Sequence, residues 1–182
     1  MGLVIHDLGN IPHDAADRDF YIYLLDYGWK EPLAQAMYDN FDSMVELSDK
    51  NRPVVLRGTR PRDFSDEVFS WHRINGEEAE RLLPGVMVTT LPPRYFRDDS
   101  EGLTTNDVLL LIPLKRVCRT TQDVIDLLKG LFDDISSGVG LSNFRVVREM
   151  NKSPLSRLYK ELILEPNISG VGIDIERLFQ ED

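Results

Sequence analysis

The 182-residue chain has a single cysteine, Cys118, and only three histidines. One cysteine excludes an internal disulfide and a zinc site that needs several thiolates. A chain without disulfides is typical of the reducing cytoplasm. His6 and His13 lie beside acidic residues in a segment with a proline, and the acidic runs elsewhere lack the spacing of a calcium loop. We therefore expect no bound metal.

The chain also lacks the sequence features of nucleotide-binding, membrane and secreted proteins. No Gly-x-x-x-x-Gly-Lys-Ser/Thr or Gly-x-Gly-x-x-Gly loop follows a predicted strand, so we expect no cofactor. No apolar run approaches the roughly 20 residues that span a membrane. The first residues show neither the basic segment nor the long apolar segment of a signal peptide. These absences predict a cytoplasmic protein without membrane contact.

Positive charge is scarce as well. There are 21 Lys and Arg residues against 31 Asp and Glu residues, which gives a net charge of −10. Nucleic-acid binding depends on neutralising phosphates with cations, so we expect no general nucleic-acid binding. Acidity favours a basic partner protein through electrostatic complementarity, and its simpler role is to keep the protein soluble.

What the chain does contain is enough apolar sequence for a core, with 42% hydrophobic residues. Short apolar runs alternate with amphipathic segments of helical period, which predicts an α/β domain with a central mixed sheet flanked by helices. The conformation of residues 57–76 stays undecided: residues 57–62 are a basic turn, and residues 67–72 could be strand or helix. The predicted strands cover residues 20–25, 53–56, 86–90, 108–112, 143–147 and 171–175, and the predicted helices cover residues 32–48, 77–83, 120–137 and 153–164.

These elements suggest three regions. Residues 1–19 form an irregular N-terminal arm, and residues 20–150 form the α/β domain. Residues 151–182 form a tail whose helix begins at Ser153 and Pro154, an N-cap followed by an N1 proline. We expect this helical tail to pack on the domain or on a partner.

The order of the elements resembles the thioredoxin-like fold over residues 20–136. Trp29-Lys30-Glu31-Pro32-Leu33 stands between the first strand and long helix, where thioredoxins carry Trp-Cys-Gly-Pro-Cys. The segment from Leu83 to Val88 resembles the family's cis-proline segment, with Pro84 before the third strand. Both redox cysteines are replaced here, so the resemblance implies a fold without thiol–disulfide exchange. It implies instead a groove beside Trp29 and Pro84 for an extended peptide.

We therefore predict a non-catalytic protein-binding module of bacterial style, an immunity-like or adaptor-like protein whose partner is another protein. Arginines after a strand can bind carboxylates or phosphates bidentately, or pair with neighbouring acidic side chains. The predicted binding residues are Trp29, Pro32, Arg57, Arg60, Arg62, Trp71, His72 and Pro84.

Two alternatives stay open at the level of sequence. The first is an enzyme that uses Cys118 or His72 on an anionic substrate held by Arg57, Arg60 and Arg62. Cations near Cys118 and a helix N-terminus would lower the pKa of a reactive thiol, whereas a structural cysteine would be a small buried hydrophobe. The second alternative is a homo-oligomer that pairs through the tail.

Overall fold

The computed structural model describes residues 1–12, 15, 18–48, 53–72, 74, 77–91, 93, 108–137, 141, 144–149 and 160–166. Their seven strands form one mixed sheet in the order β1-β3-β2-β4-β5-β7-β6. The strands are β1 (Gly2–Ile5), β2 (Tyr21–Leu25), β3 (Val54–Gly58), β4 (Gly85–Thr89), β5 (Val108–Pro113), β6 (Phe144–Glu149) and β7 (Lys160–Pro166).

Helices cover both faces of this sheet, so the predicted α/β domain is confirmed. The helices are α1 (Pro32–Asp39), α2 (Phe41–Ser48), α3 (Pro61–Trp71), α4 (Ala79–Leu82), α5 (Leu114–Val117) and α6 (Thr121–Ser137), and a short 3-10 turn covers Leu8–Asn10. One core cluster packs α1, α2 and α6 on the first face, and a second packs α3 on the other. Helix α6 starts where predicted, at Thr121.

Strand β2 shows why the sheet divides the core in this way. Successive strand side chains point to opposite faces. Ile22 and Leu24 therefore enter the first cluster, while Tyr21, Tyr23 and Leu25 enter the second. All five are fully buried, as the continuous apolar run predicts for a strand covered on both faces.

Strand direction brings most strand ends together. Parallel pairs join β1 to β3, β3 to β2 and β5 to β7, whereas β4 is antiparallel to both β2 and β5. Strands β1, β2, β3, β5 and β7 consequently end on the same side of the molecule, which we call the carboxyl end of the sheet. In open α/β sheets this is where ligands bind.

Four sequence predictions need correction. The predicted long helix is two helices, because Asn40 leaves helical geometry and its side-chain amide donates to the Ala36 carbonyl at 2.8 Å. The undecided residues 57–76 contain α3, which begins at Pro61. The arm is not wholly irregular, since β1 pairs with β3 at the edge of the sheet.

The fourth correction concerns the tail. Its predicted helix is wrong from Lys160 onward, where the chain is β7, a strand between β5 and β6. Leu162, Ile163 and Leu164 are all buried there. A helix would put only some of them in the core, whereas a strand inside a covered sheet buries all of them. The rest of the predicted tail helix and the predicted strand at residues 171–175 lie outside the described residues.

Candidate binding surface

The loop after β2 carries the most exposed aromatic side chain in the described part of the chain. Trp29 is 38% exposed, and the only other large hydrophobic side chain exposed in that part is Val4 at 50%. Tyr27 meets the Trp29 ring edge-on, with ring centroids 5.6 Å apart. The Lys115 ammonium lies 4.6 Å from the centre of the same ring. Contacts on two sides hold the exposed indole in place.

Lys115 connects two strand ends. It follows β5, and its ammonium contacts the Glu31 carboxylate at 2.8 Å in a partly buried ion pair. Glu31 is the N-cap residue of α1, and Pro32 occupies the first helical position, where the missing N–H costs little. Pro32 is exposed and follows Trp29 by three positions in the chain. The parallel arrangement of β2 and β5 therefore assembles this surface.

A tight turn positions Trp29. Gly28 has φ of +73°, a left-handed conformation that other residues adopt at a cost. Its N–H donates to Asp26 Oδ2 at 2.9 Å, while the Asp26 N–H donates to the Ser65 hydroxyl at 2.9 Å. Asp26 is 2% exposed, and burial raises the pKa of its carboxyl. The turn is thus tied to α3 beneath the surface.

Pro84 supports the surface from inside. The Leu83–Pro84 peptide is cis, and Pro84 itself is buried. Its carbonyl accepts a hydrogen bond from the Leu114 N–H at 2.9 Å. Leu114 precedes Lys115, so Pro84 positions the lysine, but its burial leaves it no exposed surface for the direct contact that the sequence predicts.

The three predicted arginines do not converge on one site. Arg57 is half-buried, with its guanidinium 4.4 Å from the centre of the Phe41 ring. Arg60 lies 3.7 Å from Asp63, and Arg62 lies 4.0 Å from Asp66, in exposed pairs along α3. Pairing with acidic neighbours was the simpler of the two sequence interpretations for these residues.

Arg62 nevertheless belongs to the edge of the Trp29 surface. Its guanidinium lies 5.6 Å from the centre of the Tyr27 ring. The Tyr27 hydroxyl donates to Asp66 at 2.8 Å, and burial together with this bond raises the pKa of Tyr27 to about 12. A continuous series of contacts therefore runs from Lys115 through Trp29 and Tyr27 to Arg62.

Trp71 and His72 do not join this surface. They stand at the opposite end of α3 from Arg62, where Trp71 is half-buried against the second core cluster. His72 is 0% exposed, its Nδ1 lies 2.9 Å from the Val68 carbonyl, and its ring meets Tyr23 edge-on. The predicted surface role of His72 is therefore wrong, because the C-terminal end of α3 turns its side chain into the core.

The structure also keeps apart Cys118 and His72, the two residues on which the enzyme alternative depends. Cys118 is buried in the first core cluster, and burial raises the pKa of its thiol to about 12. Burial lowers the pKa of His72 to about 4. Tyr23, which His72 contacts, belongs to the cluster on the other face of the sheet. A thiol that stays protonated and is separated from the imidazole by the sheet cannot form a Cys–His pair.

Sequence reasoning identified Trp29 and Pro32 but missed Tyr27, Glu31 and Lys115. Strand direction could have signalled Lys115, because parallel strands bring the residues after them to one end of the sheet. Within the described ranges, no group of acidic, histidine or cysteine side chains could hold a metal ion, and no helix is long and apolar enough to span a membrane.

Comparison with known proteins found no matching family, no matching curated protein and no matching solved structure.

Proposed function

We propose that the protein is a non-catalytic protein-binding module that holds a segment of its partner against Trp29. The observation that carries the proposal is the exposed indole fixed between Tyr27 and Lys115. Binding energy concentrates on such aromatic anchors, and a ring that is already ordered loses little entropy on binding. Pro32 and the Lys115–Glu31 pair supply an apolar and a polar border.

The proposal includes a thioredoxin-like fold without redox cysteines. It is supported by the succession of β2, α1 with α2, β3, α3, α4, Pro84, β4, β5, α5 and α6, which contains the order that the resemblance implies together with the short helices α4 and α5. Trp29 also stands shortly before α1 and Pro32 is the first residue of that helix, as in the resembling motif. With Lys30 and Leu33 in place of the cysteines, the surface retains a position for binding and has no thiol for exchange.

The partner we propose is a basic protein in the bacterial cytoplasm, met by an immunity-like or adaptor-like module. A net charge of −10 would speed its encounter with a basic surface. A single buried cysteine agrees with a reducing compartment.

The test is capture of the partner from the native host with tagged protein, followed by native mass spectrometry and a measured Kd. We expect Trp29→Ala to weaken the identified complex about 30-fold, the effect of losing about 2 kcal/mol at an anchor residue. Trp29→Phe should retain part of the affinity. Val4→Ala is the matched control, because Val4 is the other exposed large hydrophobic side chain among the described residues.

Two results would contradict the proposal. One is a stoichiometric partner whose Kd is unchanged by Trp29→Ala. The other is recovery of the tagged protein without a bound partner when the capture is done at native salt and native expression level.

A further inference from the structure

A groove separates α6 from the β6–β7 pair and has no role in the Trp29 surface. Its volume is about 400 Å³, within the range of pockets that take up several side chains. We call it the acidic groove and define it by its lining residues, which are Val117, Asp123, Asp126, Leu127, Gly130, Phe144 and Pro166.

The groove is apolar at its base and acidic along α6. Leu127 and Phe144 are buried members of the first core cluster, and Val117 packs against that cluster. Gly130 presents no side chain, so a bound chain can approach the helix backbone closely. Such a base accommodates an apolar side chain of a partner.

The acidic side has fixed charges. Asp123 Oδ2 accepts hydrogen bonds from the Arg119 and Thr120 N–H groups at 2.7 and 2.9 Å, which lower the pKa of this carboxyl. Asp126 is exposed on the next part of the helix, where its Oδ1 accepts a bond from Gln122 at 2.9 Å. The lowered pKa keeps the Asp123 carboxylate charged at neutral pH.

From this juxtaposition we propose that the acidic groove binds a basic segment of a partner protein, with an aliphatic side chain in the apolar base and Lys or Arg beside Asp123 and Asp126. Charge complementarity selects this occupant, because the charged residues described in the groove lining are Asp123 and Asp126, and Lys or Arg beside them adds an attraction that an acidic or neutral segment lacks. The proposal does not depend on the Trp29 surface.

The test uses the full chain and a fluorescein-labelled Lys-Leu-Lys-Leu-Lys-Leu-Lys peptide, with affinity measured by fluorescence anisotropy. We expect Asp126→Lys to weaken binding about tenfold. Asp39→Lys is the matched control, because Asp39 is also exposed on a helix and accepts a bond from a glutamine four residues earlier, at 2.6 Å from Gln35. This control should change the Kd less than about twofold, because Asp39 is not among the residues that line the groove and exposed charges are screened by salt.

Two companion peptides and an NMR titration complete the design. Peptides with Ser in place of Leu, or Glu in place of Lys, should each bind at least about tenfold more weakly. Amide shifts should concentrate at Leu127, Gly130 and Phe144.

Equal losses for Asp126→Lys and Asp39→Lys would overturn the proposal, since they would indicate attraction to net charge alone. Amide shifts confined to other surfaces would overturn it too. Shifts of residues 167–182 caused by Asp126→Lys without peptide would assign the groove to the chain's own C-terminal residues and likewise overturn it.

Discussion

At the scale of single residues, Cys118 and His72 show how burial changes side-chain chemistry. Both stand in sequence contexts that suggest reactivity, with cations near Cys118 and acidic residues before His72. Both side chains are buried. Removing a charged form from water is unfavourable, so burial holds the thiol and the imidazole in their neutral forms.

Cys118 should therefore react slowly with iodoacetamide. Because burial raises the pKa of its thiol to about 12, almost no thiolate is present at pH 8. We expect an alkylation rate far below that of N-acetylcysteine, rising to the free-thiol rate in denaturing urea. The measurement is mass-spectrometric labelling over time. A rate in native buffer that matches the free thiol would show that Cys118 is accessible and ionised.

His72 should make stability depend on pH. Its folded-state pKa of about 4 is below the ordinary value of 6.5, so the unfolded chain binds a proton first as pH falls. The contribution of neutral, buried His72 to the free energy of unfolding is complete above pH 6.5 and is lost as pH falls from 6.5 towards 4. We expect the free energy of unfolding to be about 2 kcal/mol lower at pH 5 than at pH 7, because each pH unit below 6.5 removes roughly 1.4 kcal/mol.

Urea denaturation of the wild type and His72→Phe at pH 5 and pH 7 isolates this effect. Burial raises the pKa values of Asp26 and Glu67, whose contributions have the opposite sign, so the difference between the two proteins is the relevant quantity. The exposed His6 supplies a control substitution, His6→Gln, which removes an imidazole that lies outside the core. An unchanged pH dependence in His72→Phe would contradict the prediction.

At the scale of elements, the start of α6 has reciprocal side-chain capping. The Thr120 hydroxyl accepts a bond from the Asp123 N–H at 3.2 Å, and Asp123 accepts one from the Thr120 N–H at 2.9 Å. These bonds satisfy N–H groups that have no partner within the helix. The sequence predicted this helix over residues 120–137, and the two bonds identify Thr120 as its N-cap.

Thr120→Ala should lower the free energy of unfolding by about 1 kcal/mol, because an N-cap hydroxyl is lost. Chemical denaturation monitored by circular dichroism measures this change. Thr121→Ala is the control, since Thr121 is the first residue of the helix and is exposed. Equal effects of the two substitutions would show that the Thr120 hydroxyl adds no capping energy.

At the scale of the whole molecule, β7 joins β6 to the rest of the sheet. It is parallel to β5 on one side and antiparallel to β6 on the other. Its Leu162, Ile163 and Leu164 side chains are buried. Residues 160–166 are therefore part of the domain core, whereas the sequence predicted a helical tail that packs on the domain or on a partner.

A chain ended at Met150 should lose cooperative folding. Without β7, strand β6 has no partner among the described strands and β5 becomes an unpaired edge with an apolar surface. We expect aggregation in light scattering and no cooperative thermal transition. In the full chain, Ile163→Asp should reproduce this loss and Ile163→Val should be tolerated. A truncated monomer that melts cooperatively would show that β7 is dispensable.

Much of the architecture could be predicted from local patterns. The apolar runs of β2 and β5 and the helical period of α6 are short-range signals, and each indicated its element. The prolines at the first positions of α1 and α3 act through the same local chemistry. Composition alone indicated an apolar core and an acidic surface.

Long-range contacts decided the rest. The apolar run in β7 also fits a helix face, and only its pairing between β5 and β6 makes it a strand. Trp29 is recognisable in sequence, but Lys115 reaches it only because β2 and β5 end on the same side of the sheet. For Cys118 the sequence left a reactive thiol and a buried structural side chain as alternatives, and for His72 a binding or catalytic role; packing buries both side chains. Local patterns determine elements, whereas burial and strand order determine which side chains meet and which remain reactive.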